Sequence, residues 1–163
     1  MAQRMLINLN ELIVRSVSEN ITRLNVAAII VNHENKILLC RRNRNKKIAP
    51  GAWHMPGGKV ESGETIEGAI ARELIEELSI KVIQVFGYSG IEHNHQVNGE
   101  KHRTVFVGVA AEGVIGMNSE NDACRYVAFE EIPDYLEPAL VKFNEQAATY
   151  GLGKTTERSV VYI

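Results

Sequence analysis

Cysteine is scarce: Cys40 and Cys124 are the only two in 163 residues. So few in a chain of this size argue against a disulfide scaffold and for a reducing compartment, the cytoplasm. Neither lies in a metal-type spacing. Long apolar runs are also missing. No stretch of about 18 apolar residues occurs, and the N-terminus has no apolar core of signal-peptide form, so neither a membrane span nor a cleaved leader is expected. Charge of one sign is not in excess. The net charge of −2 gives no global basic field for duplex nucleic acid and no polybasic membrane patch. Repeats and low-complexity tracts are absent. What is present, 45% hydrophobic and 23% charged residues, is the composition of one globular domain with a real core.

The informative stretch is residues 50–80. A glycine-rich loop with Gly57, Gly58 and Gly63 runs into a segment of helical periodicity, 65–78. At about 100° per residue, Ile66, Ala69, Ile70, Leu74 and Leu78 form one apolar stripe. Glu73 and Glu77 fall at the centre of that stripe and Glu76 at its edge. An amphipathic helix ordinarily turns its carboxylates to solvent. Carboxylates crowded on an inward face repel and protonate unless a positive group sits among them. Hard divalent cations with oxygen ligands fill that role, so the stretch reads as a metal site.

The rest of the chain reads as strands around this helix. Residues 1–23 are expected to be an N-terminal addition packed on the core, as a strand and a helix or as one amphipathic helix. Residues 25–31 and 36–42 read as two strands joined by the turn 32–35, a hairpin. Arg41 and Arg42 alternate in direction at a strand end, so one must point to a sheet face. Arg44, Lys46 and Lys47 read as a solvated loop. Trp53 reads as core, and His54 as a rim residue. A strand over 81–91 is followed by a polar loop, 92–101, with His93, His95 and His102 grouped about a solvated hairpin tip. Further strands are expected over 103–111 and 125–129, and a terminal helix over 138–150. The order of strands, helix, strands, helix suggests an α/β fold, a mixed sheet with helices on both faces.

Residues 58–80 resemble the box of the Nudix hydrolases. That box is Gly, five residues, Glu, seven residues, then Arg-Glu-hydrophobic-any-Glu-Glu-any-Gly-hydrophobic. Here it is carried by Gly58, Glu64, Arg72, Glu73, Leu74, Glu76, Glu77 and Ile80, with Ser79 in place of the glycine. The resemblance covers residues 24–150 and leaves 1–23 as an extension and 151–163 as a tail. It implies an α/β/α sandwich around a central mixed sheet, and Mg²⁺-dependent hydrolysis, with Mn²⁺ as the alternative ion. It assigns catalysis and metal binding to Glu73, Glu76 and Glu77. A loop carbonyl, Gly57, is a further ligand, and Glu64 lies near the metals or bonds to Arg72. Arg72 and Gly58 are expected to support these groups from behind. Arg41, Arg42 and Lys59 are the candidates for phosphate contacts. The general base is left open between Glu73 or Glu77 and an acid of the downstream loop, Glu120 or Asp122. Ser79 is expected to carry the left-handed conformation a glycine would adopt there.

The substrate is narrowed by family markers. Nudix subgroups for ADP-ribose and for dinucleoside polyphosphates carry a proline or a tyrosine downstream of the box. Counted from Ser79, those places fall at residues 95–98, where neither occurs. The segment 100–106 looks like that of nucleoside-triphosphate-cleaving members. A small nucleotide is the expected partner, cleaved to a monophosphate and pyrophosphate. A nucleotide sugar, a capped RNA end or a non-catalytic nucleotide-binding module are the alternatives. The terminal additions make a homodimer the expected assembly.

Overall fold

A computed structural model describes residues 8–47 and 49–135. Helix α1 spans Leu9–Ser18, capped by Asn8, whose side-chain oxygen accepts from the Asn10 N–H. Leu9 and Leu12 are buried on its inner face, so the segment ambiguous in sequence is a helix over 9–18. Met5-Leu6-Ile7, the helix expected over 138–150 and the tail 151–163 lie outside the described residues.

Strands β1 (Arg23–Ile30) and β2 (Ile37–Arg42) follow, then β3 (Trp53–His54), β4 (Gly57–Lys59) and α2 (Ile66–Leu78). The chain continues through β5 (Lys81–Val97), β6 (Glu100–Glu112) and β7 (Asn121–Val127). A single 3-10 turn over Phe129–Glu131 and helix α3, Ile132–Tyr135, complete the described part.

The strands form two sheets. One is four-stranded in the order β4-β1-β6-β5, with β1 parallel to β6 and the other pairs antiparallel. The other is antiparallel, in the order β3-β2-β7. Consecutive strands β1 and β2 therefore do not make the expected hairpin. They touch through one bridge, Val31 to Ile37, and then diverge into different sheets. The reason lies in their burial. Both are apolar on successive residues, so each has two faces to cover, and other strands supply the pairing.

Alternation along β1 divides the core in two. Val26, Ala28 and Ile30 join Leu38, Cys40 and the stripe Ile66, Ala69, Ile70, Leu74 and Leu78 on the side of α1 and α2. Ala27, Ile29 and Val31 join Ile37, Leu39, Met55 and Phe106 on the other side, with Ile132 of α3. Helical pieces thus lie on both faces of a mixed sheet, the sandwich expected from the sequence.

The region 92–101 is not a loop. Strand β5 continues to Val97 and turns at Asn98-Gly99, where φ is 50° and 80°, straight into β6. Asn-Gly with two positive φ values is the turn that matches strand twist. The polar residues that suggested a loop are the exposed faces of this ribbon. Arg103 is buried there and binds Glu19, just past α1, as well as Asn94 and Ser16, so α1 is latched to the ribbon.

Candidate active site

Helix α2 positions the carboxylates. Thr65 caps it, its hydroxyl accepting from the Gly68 N–H at 3.0 Å. It ends at Ser79, which lies in the left-handed region at φ 59°, ψ 26°. Its apolar stripe is fully buried, and this holds the inward carboxylates against the core. Glu73 has a side chain only 12% exposed, whereas that of Glu76 is 58% exposed.

The wall opposite these carboxylates is backbone. Strand β4 pairs with β1, Gly57 facing Ala27 and Gly58 facing Val26. A Cβ on Gly57 would fall 1.9 Å from the Val26 carbonyl oxygen, and one on Gly58 would fall 2.4 Å from Cδ of Glu73. Both distances are impossible for a real side chain, so only glycine permits this approach.

Arg72 organises the acids around it. Its Nε and one Nη donate to both oxygens of Glu64 at 2.8 Å. Its other Nη donates to Glu73 at 2.9 Å and Glu76 at 3.2 Å, and the guanidinium also reaches the Lys59 carbonyl at 2.9 Å. Glu64 also accepts from the Glu61 N–H. These donors, Arg72 first, pull the Glu64 carboxyl down to about 2. The Arg72 guanidinium is shifted upward, chiefly by Glu64. One planar fork thus fixes the rotamers of several acids.

Glu77 is different. Its Oε2 is buried and has no hydrogen-bond partner. Burial, then the charges of Glu73 and Glu120, pushes its carboxyl up to about 7. Glu73 is also raised, by burial first, with Arg72 opposing the shift. A buried, unpartnered carboxylate oxygen is costly and calls for a ligand.

Beside Glu77 opens a cavity of about 310 Å³ between the two sheets, within the range of small-molecule sites. Asn25, Thr104, Phe106 and His93 line one side, and Arg42, Trp53 and His54 the other. Gly57, Gly58, Glu77, Glu120 and Asn121 complete its lining. His54 stands with Nδ1 2.9 Å from the Met55 carbonyl and Nε2 3.0 Å from Asn121 Oδ1. Burial pushes its imidazole down.

The structure brings Glu73, Glu77, Gly57 and Gly58 together, with Arg72 and Glu64 behind them. Arg42 and Glu120 face the cavity, and Glu120 is held by Lys46 at 2.7 Å. Arg41 does not line it. Its guanidinium lies 5.7 Å from the Trp53 ring centre and bonds Asp122 at 2.5 Å. Arg41 accordingly pulls the Asp122 carboxyl down. Lys59 is half exposed beside Glu61 and points elsewhere. Among the cavity residues, Asn25, Thr104 and Asn121 carried no sequence signal, and His93 read only as part of a solvated hairpin tip. They meet only because β1, β5, β6 and β7 are brought into register across two sheets. The alternating pattern of His93 and His95 before Asn98-Gly99 is the one clue that β5 extends so far.

Among the described residues, no group of three His, Cys, Asp or Glu side chains converges as they lie on one ion position. The donor chemistry nevertheless fits a hard cation. Glu73 and Glu77 present oxygens one helical turn apart, and the Glu77 oxygen is orphaned. Backbone at Gly57 and Gly58 leaves the space open.

Comparisons with known proteins agree with this geometry. The model of the NUDIX domain matches residues 21–147. An 8-oxo-dGTP diphosphatase of Proteus vulgaris is 30% identical over 104 residues, 63% of this chain and 89% of that protein. The nucleoside triphosphatase NudI of Escherichia fergusonii is 41% identical over 54 residues, 33% of this chain. That match spans 38% of the length of the NudI relative. The solution structure of the Escherichia coli ORF135 protein has a TM-score of 0.67 at 31% identity, covering 85% of this chain and 95% of that one.

Proposed function

Because this chain belongs to the Nudix family, whose members generally use divalent metal ions, we propose that it hydrolyses a nucleoside triphosphate in a Mg²⁺-dependent reaction. Water adds across the anhydride between the α- and β-phosphates, giving the nucleoside monophosphate and pyrophosphate. The observation that carries this reading is the orphaned Glu77 oxygen beside the Gly57-Gly58 wall, opening on a cavity large enough for a nucleotide. The names of the NudI and Proteus vulgaris relatives support the substrate class.

The residues divide the work by position. Glu73 and Glu77 would hold the ion, with Glu76 and the Gly57 carbonyl as further donors. When bound, the cation neutralises phosphate charge and acidifies water. Arg72 and Glu64 keep Glu73 and Glu76 oriented. Of the three candidates from the sequence, Arg42 is the one placed to meet phosphate, ahead of Arg41 and Lys59, and Arg23 also lines the cavity. Of the two downstream acids, Glu120 faces the cavity and is our candidate proton acceptor, while Asp122 is engaged by Arg41. Trp53 and Phe106 offer apolar walls to a base.

A panel of nucleoside triphosphates, nucleotide sugars and capped RNA, assayed with Mg²⁺ for pyrophosphate and orthophosphate, tests the reading. Pyrophosphate with monophosphate from a triphosphate is expected. Turnover confined to sugars or caps would move the substrate class, and no turnover of any nucleotide would end the catalytic reading. The proposal places the protein in the cytoplasm, in keeping with its two free thiols. It also includes a homodimer, expected from the terminal additions; a monomeric mass in light scattering would remove that part.

A further inference from the structure

Cys40 and Cys124 face each other as direct partners across antiparallel strands β2 and β7. Their sulfur atoms are in contact, 2.6 Å apart. Directly opposed residues of such a pair have Cα atoms about 4.5–5.5 Å apart, inside the range of about 4.4–6.8 Å that a disulfide spans. Their placement argues against mere packing. The next partner along the same row is His54, paired with Cys40 from β3, and His54 lines the cavity. Arg42 lies two residues beyond Cys40, and Asn121 lies three before Cys124, at the start of β7. Both line the cavity. A bond between the sulfurs would therefore tie together two strands that carry cavity residues.

We propose that Cys40 and Cys124 are a reversible oxidation site, closing to an intramolecular disulfide when the protein meets a peroxide. Cys40 is fully buried and Cys124 only partly so, which sets the order of events. The Cys124 sulfur attacks a peroxide oxygen, the O–O bond breaks, and the leaving hydroxide takes the thiol proton as water. The Cys40 sulfur then attacks the resulting sulfenic sulfur. The S–O bond breaks, the hydroxyl leaves with the Cys40 proton as a second water, and the S–S bond forms. Two thiols lose two electrons and two protons, and the peroxide is reduced to two waters. A reducing compartment reverses the bond, so the pair suits a protein that meets oxidant only at intervals.

The test uses the full chain and stands apart from the catalytic reading. The reduced protein is treated with hydrogen peroxide, quenched, and examined by intact mass and by thiol titration in denaturant. The expected result is a fall from two thiols to none, a mass lower by two hydrogens, and recovery of both thiols with dithiothreitol. A digest should contain the Cys40 and Cys124 peptides joined. Retention of both thiols, a gain of oxygen alone, or covalent dimers would each overturn the proposal. As a second measurement, Cys40→Ser should leave a Cys124 sulfenic acid that dimedone captures, and no capture would contradict the order of steps.

Discussion

Gly58 lies directly against the carboxylate of Glu73. A Cβ there would come within 2.4 Å of Cδ and 2.6 Å of either oxygen. The atom in the way is the end of a side chain, so the chain can respond by turning Glu73 aside. We predict that Gly58→Ala folds, at a cost of about 1–3 kcal/mol, and loses about a hundredfold in turnover because a reacting group is misplaced. Steady-state kinetics and a melting curve check both parts. Full turnover would show that Glu73 need not sit where it does.

The raised carboxyl of Glu77 makes stability depend on pH. Below 4.5, its ordinary value, both folded and unfolded chains hold the proton. Between 4.5 and about 7 the folded chain keeps a proton the unfolded chain has released, so stability falls as pH rises. Above 7 the loss is complete, on the order of 3 kcal/mol. In metal-free buffer Glu77→Gln should abolish this slope and melt higher than the parent above pH 7. Mg²⁺ should raise the melting temperature of the parent above pH 7, and between 4.5 and about 7, where Glu77 still holds its proton, its binding should release protons; it should do neither in the variant. A metal-dependent shift of equal size in Glu77→Gln would remove this residue from the ion site.

Ser79 occupies the left-handed region at the end of α2. A side chain there costs about 1 kcal/mol relative to glycine. Ser79→Gly should raise the melting temperature by about 2–4 °C and leave turnover unchanged. A lower melting temperature would mean that the serine side chain, whose oxygen packs near Gly116, contributes more than the strain removes.

Arg103 is 5% exposed and binds Ser16 of α1, Glu19 just past it, and Asn94 of β5. Arg103→Met should destabilise by about 1–3 kcal/mol, the cost of losing its charge-assisted bonds to Glu19, Asn94 and the buried Ser16. Early hydrogen exchange in α1 would locate the effect. Unaltered protection of residues 9–18 would show that the apolar contacts of Leu9 and Leu12 alone hold the helix.

Local patterns made part of this site readable. Glu73 and Glu77 stood out because they broke the amphipathic rule of their own helix, and Gly58 because it began a spaced motif. Ser79 followed from helix-end chemistry. The cavity was not readable in that way. Asn25, Thr104 and Asn121 are unremarkable in their own segments and acquire a role only through strand register. The exposed face of β5 resembled a loop because polar residues on a ribbon and in a loop have the same composition. The β1–β2 turn was plain, but the divergence of the strands after it depends on partners far along the chain.

That divergence has a mechanical meaning. The two sheets form a wedge whose apex is the single Val31–Ile37 bridge and whose mouth is the cavity, between the Arg23 end of β1 and the Arg42 end of β2. A lever of this kind magnifies at its mouth any change in thickness at its apex. Trimming a methyl there, as in Ile37→Val, should therefore alter KM more than kcat, although Ile37 lies at the far end of the wedge. A proportional loss in both would mean that the two sheets move as one rigid block.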